Sequence, residues 1–134
     1  MALSDSLTLE NAFNTNNTFS RTKSSPDGEW VDTASTPAEP RGLKVKHQVS
    51  GKGSNAVDRH LIQVYKTKVS TTDGQPKTAV VNITMNLPRD AILSSTDVYN
   101  LFMNAVELIA ASQFGPLITA LTLTNFDKIL RGEQ

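Results

Sequence analysis

The residues of this chain with the greatest chemical reach are two histidines, His47 and His60, and neither has a carboxylate at the spacing a metal site or a general base requires. Both fall in strand-like runs, so structural roles are expected. Gly51-Lys-Gly-Ser54 contains part of a phosphate-binding loop. The full G-x-x-x-x-G-K-[ST] spacing is missing and no helical pattern follows it, so it reads as a turn. Asp5, Glu10, Asp27, Glu29, Asp32 and Glu39 are spread over turns and strand ends without the pairing that shifts a carboxyl pKa, and are expected to be solvated. The chain has no cysteine, which excludes thiol nucleophiles, thiolate zinc sites and disulfide scaffolds together. No catalysis is expected, nor any cofactor, metal or small-molecule substrate.

A different chemistry collects on one face of three strands. Leu43, Val45, His47 and Val49 alternate with Lys44, Lys46, Gln48 and Ser50. The next run, Arg59 to Val69, sets Ile62 and Val64 against Leu61, Gln63, Tyr65 and Thr67. Asp73-Gly74 is a hairpin signal, and beyond it Ala79, Val81, Ile83, Met85 and Leu87 alternate with Val80, Asn82, Thr84 and Asn86. If these strands are neighbours, their polar residues share one surface. Lys44 and Lys46 can neutralise phosphates there, Gln48, Gln63, Asn82, Thr84 and Asn86 can bond base edges or sugars, and the Tyr65 ring can stack on a base. Lys66 and Lys68 would fall on the apolar face and are expected to reach out to water at its edge. A wet sheet face carrying Lys, Thr and Asn is the alternative reading, although Leu61 and Val80 add apolar spots that suit contact with a partner.

The elements that must hold this surface follow from composition and punctuation. A length of 134 residues fits a single domain, 1–134. Within it, residues 1–40 read as an N-terminal hairpin turning at Asn14-Thr-Asn-Asn17 and a first short strand, Glu29 to Thr33, too polar to make a core alone; 41–90 carry the central strands and 91–134 the helices. Ser94 with Asp97 resembles a capping box. After it Val98, Leu101, Phe102, Ala105, Leu108 and Ile109 recur at helical spacing, and Tyr99, Met103, Val106 and Ala110 widen the apolar arc. So broad an arc needs contacts on two sides, one of them from a second surface such as another chain. Gly115-Pro116 allows a further helix. Strands followed by helices define an α+β fold with segregated layers.

Thirteen basic and thirteen acidic residues cancel to zero net charge, which at first argues against a polyanionic partner. The cancellation is segmental. Residues 1–40 carry a net −4, residues 41–77 a net +6 and the remainder a net −2, so the strand region is the basic one. The opening Met1-Ala-Leu-Ser-Asp5 has no basic or long apolar run, so no secretory leader is expected, and no stretch is long enough to span a bilayer.

Val57-Asp-Arg-His-Leu-Ile-Gln-Val-Tyr65, an Asp-Gly hairpin, then Ala79-Val-Val-Asn-Ile-Thr-Met-Asn-Leu-Pro-Arg-Asp90 leading into Ser-Thr-Asp-Val98 and an apolar helix resemble the coat proteins of levivirus-type single-stranded RNA bacteriophages. The resemblance implies an N-terminal hairpin, a five-stranded antiparallel sheet and two C-terminal helices. It also implies an interlocked homodimer, with Val98, Leu101, Phe102, Ala105 and Ile109 at the subunit interface. Dimers would build a small icosahedral shell, with genomic RNA bound to the inner face of the sheet and a stem-loop that represses replicase translation. The protein would then belong to the virion, made in the host cytoplasm, with no membrane partner. Asn82 matches an RNA-contacting Asn of the family, whereas Val80 stands where a base-stacking Tyr is often found, which leaves Tyr65 as the stacking candidate. Lys44, Lys46, Gln63 and Thr67 match positions facing RNA. A non-viral single-strand-binding regulator and a tailed-phage adaptor are the alternatives.

Overall fold

The structure is a computed structural model that describes residues 3–10, 16–89 and 92–109. These fall into two compact units, one containing the sheet and the other the helix. The sheet is a meander, β1 (Ser6–Glu10), β2 (Asn16–Lys23), β3 (Gly28–Asp32), β4 (Arg41–Ser50), β5 (Val57–Val69) and β6 (Pro76–Pro88), paired in sequential order and antiparallel throughout. The expected N-terminal hairpin is continuous with the strands that follow, because β2 pairs with β3 across a bulge between Arg21 and Lys23. One six-stranded sheet results.

Turn chemistry fixes the register of the long strands. Between β5 and β6 the Asp73 carboxylate accepts the Gln75 N–H at 3.0 Å, and Gly74 takes φ +66°, a conformation that favours glycine. This turn sets Tyr65 opposite Val80 and Gln63 opposite Asn82. The β4–β5 connection uses two positive-φ glycines, Gly51 and Gly53, around a single 3-10 turn over Gly53–Asn55. It is a turn with no phosphate-loop helix behind it.

The buried cluster comprises Phe19 of β2, Trp30 of β3 and Leu43 of β4, with Leu7, Val45 and Ile62 packed against it. Two of its three members come from the first forty residues, the segment whose polarity argued against a core. The reason is that few side chains are needed: β2, β3 and β4 converge there, and Arg21 lies 4.9 Å over the Trp30 ring while bonding the Leu3 carbonyl and pairing with Asp5. Toward β6 the same face opens, and Val81 is 59% exposed. Within the sheet unit that apolar strip has no second layer over it.

The second unit contains α1 (Ser95–Ile109). Its start is the capping box expected from sequence: Ser94 Oγ accepts the Asp97 N–H at 3.2 Å and Asp97 Oδ2 accepts the Ser94 N–H at 2.8 Å. The Ser94 hydroxyl also donates to Asp97, and these bonds hold the Asp97 carboxyl below its ordinary range. Replacing Ser94 by Ala is expected to lower stability by about 1 kcal/mol, the usual worth of an N-cap hydroxyl, read as a shift in the denaturant midpoint. The anticipated second helix lies outside the described residues.

Candidate nucleic-acid interface

Register sorts the three long strands into two faces. On the polar face β4 presents Lys44, Lys46 and Gln48, β5 presents Arg59, Leu61, Gln63, Tyr65 and Thr67, and β6 presents Thr78, Val80, Asn82, Thr84 and Asn86. The residues expected from sequence therefore share one surface, in rows that run Lys44–Gln63–Asn82, Lys46–Leu61–Thr84 and Gln48–Arg59–Asn86. Two rows are tied laterally: Gln63 Nε2 donates to Asn82 Oδ1 at 2.9 Å, and Arg59 Nε donates to Asn86 Oδ1 at 3.1 Å. These bonds orient the amides and leave each with unused donors and acceptors, as a surface that reads bases needs.

Tyr65 is held more tightly than strand spacing suggests. It stands opposite Gly42, where a β-carbon would come within 2.5 Å of the phenol oxygen, so glycine there makes room for the ring. Lys44 Nζ lies 5.8 Å from the ring centroid. Val80 faces Tyr65 across the strand pair and is 47% exposed, so the ring and the valine form one partly apolar patch.

Thr67 is the least accessible of the expected contacts, being 9% exposed with its hydroxyl bonded to that of Thr78 at 2.8 Å. The distribution of charge also differs from the segmental picture. Of the eight cations in 41–77, only Lys44, Lys46 and Arg59 lie on the polar face; Arg41, Lys66, Lys68 and Lys77 fall on the other, with Lys52 in the β4–β5 connection. Lys66 and Lys68 are exposed, as expected for long side chains at a sheet end.

Both lysines of the polar face have acidic companions that linear reading does not find. Lys44 Nζ lies 3.8 Å from Glu29 and Lys46 Nζ 3.5 Å from Asp27. The source is the pairing of β3 with β4, which sets Glu29 directly against Lys44. An incoming phosphate must compete with these carboxylates. The polar face is thus amide-rich and weakly charged, suited to base and sugar contacts more than to bulk polyanion capture.

On the opposite face Asp58 is bound by both Nε and Nη2 of Arg89, at 2.6 to 2.9 Å, and this hydrogen bonding holds its carboxyl below the ordinary range. The pair ties the end of β6 to the start of β5. No group of three or more potential metal ligands occurs among the described residues, and none of their helices is long and apolar enough to cross a membrane.

The meander followed by a capped apolar helix is the fold of single-stranded RNA phage coat proteins. A chain of the virus-like particle of Beihai levi-like virus 21 superposes with a TM-score of 0.68 at 10% identity, covering 98% of this chain and 97% of that one. The coat protein of bacteriophage EMS014 gives 0.64 at 12% identity, over 98% and 97% of the two chains. An unassembled coat protein dimer described as a bacteriophage RNA-binding dimer gives 0.61 at 16% identity, over 96% and 94%. No protein-family model and no curated protein sequence matches this chain.

Proposed function

We propose that this chain is a phage capsid protein that dimerises, assembles into a closed shell within the virion and contacts packaged single-stranded RNA through the polar face of β4, β5 and β6. The observation that carries the reading is β6. It is a 13-residue edge strand, and among the described residues no strand pairs with its outer side. Edges of this length invite pairing with another chain unless charge, bulges or a covering element blunt them. β6 pairs regularly with β5 along its whole length and carries one charged residue, Lys77, near its start. Pairing between two copies along this edge would join their polar faces into one continuous platform. The arc of α1 supplies a second surface for the same partner, with Val98, Leu101, Phe102 and Ala105 on it and Ile109 at its end. The solved relatives support self-association, since they include virus-like particles and a coat protein dimer.

Negative-stain electron microscopy of the expressed protein, with nuclease-protected RNA measured in the same fraction, tests the reading. Uniform hollow particles containing RNA are expected. A dimer that binds RNA without forming particles would favour the regulator, and particles or oligomers lacking RNA would favour the adaptor.

Lys44→Ala with Lys46→Ala is expected to leave dimers intact and lower RNA content. It should also flatten the dependence of log affinity on log salt by about 0.7 per lost phosphate contact. The reverse pair, Asp27→Asn with Glu29→Gln, is expected to raise RNA affinity by roughly two- to thirtyfold, since each exposed ion pair is worth only a few tenths to one kcal/mol. Filter binding across a salt series checks both. Equal affinity and slope in all three proteins would remove RNA from this face.

A further inference from the structure

We propose that His47 and His60 form a chelate for a divalent late first-row transition ion, with the two Nδ1 atoms as its protein ligands. The two histidines are direct cross-strand partners in the β4–β5 register, on the face opposite the amide-rich surface. Their Nδ1 atoms lie 2.7 Å apart, the ring centroids 5.0 Å apart and the rings at 73°. That contact needs one ring to donate and the other to accept, so in the metal-free protein the lone pair of one Nδ1 meets the proton of the other. Moving the donor's proton to Nε2 leaves both Nδ1 lone pairs free and facing each other, and rotation of both rings then aims them at one point beside the N–N line. Two nitrogens at metal–imidazole distances of 2.0–2.1 Å stand about 2.9–3.3 Å apart for angles between square and tetrahedral. The pair must therefore open by a few tenths of an ångström and each ring turn by roughly 35–45° from the N–N line, which χ1 and χ2 rotation can supply while the strands stay paired. Two imidazoles suit Zn²⁺, Ni²⁺ and Cu²⁺ rather than Mg²⁺ or Ca²⁺, which select oxygen.

The surroundings set how tightly such an ion is held. Asp58, two residues from His60 on the same face, is already claimed by Arg89. Arg21 lines with His47 a shallow cavity of about 240 Å³ that also includes Trp30 and Pro26. Met85 occupies the β6 position opposite His60 and places a thioether in the same row. Two cations nearby and two protein ligands give a reversible site, with the remaining positions of the ion filled by water or by a second copy of the chain. His47 is exposed and His60 half-buried, so the ion has a path in. The inference stands whether or not the chain forms shells.

The test uses the untagged full chain stripped with a chelator and titrated calorimetrically with NiCl₂ and ZnCl₂, beside His47→Gln and His60→Gln. Saturable binding is expected at one ion per chain, or one per two chains where a second copy completes the coordination. Either single substitution should weaken it by roughly tenfold or more. Circular dichroism establishes that the variants are folded, and the copper-loaded protein should show nitrogen hyperfine structure from two imidazoles, reduced to one in each variant. Absence of binding at millimolar metal, or equal affinity in wild type and both variants, overturns the assignment.

Discussion

Phe102→Asp is expected to eliminate soluble dimer and every particle built from it. The helix that carries Phe102 has a Leu, a Tyr and a second Leu in plain contact with solvent: Leu101, Tyr99 and Leu108 are each at least 60% exposed, and Phe102 itself is half-buried. Under the coat reading a second copy covers this arc. α1 itself carries no cation to meet an aspartate placed there, and burying an unpaired charge costs about 3–5 kcal/mol, equivalent to roughly two to three and a half decades in the dimer dissociation constant. An interlocked pair has no stable folded monomer to fall back on, so the variant should be recovered unfolded or aggregated. Phe102→Leu, which keeps the apolar surface, should assemble. Sedimentation and microscopy of the two variants decide the matter. A folded monomer of Phe102→Asp would show that the subunits do not interlock, and an unchanged dimer would place the interface elsewhere.

What the chain disclosed before its structure, and what it withheld, divides along a physical line. The faces of β4, β5 and β6 were legible because a period of two carries them residue by residue, and Asp73-Gly74 marks the turn that joins the last two. The helix start was legible because a capping box is local, Ser94 and Asp97 being three apart. Pairings between distant residues were not. His47 and His60 each read as an isolated strand histidine; their 2.7 Å contact depends on the β4–β5 register, set by a connection in which several lengths of turn would serve. Glu29 and Asp27 read as solvated acids in the sequence, whereas the pairing of β3 with β4 brings them to Lys44 and Lys46. The basic middle third looked like a single feature, yet alternation deals its cations to both faces. Charge summed along a chain and charge summed over a surface are different quantities. The register makes the polar face one of amides and a tyrosine more than of lysines.

Arg41→Met is expected to produce a large loss of stability within the sheet, and a loss that shrinks in acid. Arg41 Nε donates to Asp32 Oδ2 at 2.6 Å, its Nη2 bonds the same oxygen and Asn17, and Asp32 also accepts the Ala34 N–H at 3.0 Å. The network closes the 33–40 connection onto β2, β3 and β4. Burial pushes the Asp32 carboxyl up, but the Ala34 N–H, the Arg41 guanidinium and the more distant Lys66 charge outweigh it and hold the group below its ordinary range. A carboxyl so depressed contributes stability that is present above the unfolded-state value, about 3.9, and is lost as pH falls through the folded value. Removing Arg41 weakens the lowering side of the balance, because its hydrogen bond and its charge both go while the desolvation remains. The Asp32 side chain is 1% exposed and that of Arg41 24%, and few atoms lie beyond their immediate neighbours, so solvent still screens the pair. The expected loss near neutral pH is therefore about 2–3 kcal/mol, below the 3–5 typical of a fully enclosed pair. In acid the orphaned carboxyl of the variant protonates first and relieves its penalty, while the wild type begins to lose its own contribution from Asp32. Denaturant unfolding of both proteins at neutral pH and near pH 3, at matched concentration, should show the gap narrowing. A gap of constant size would mean that Arg41 stabilises the sheet by packing its aliphatic stem, with the charge pair incidental.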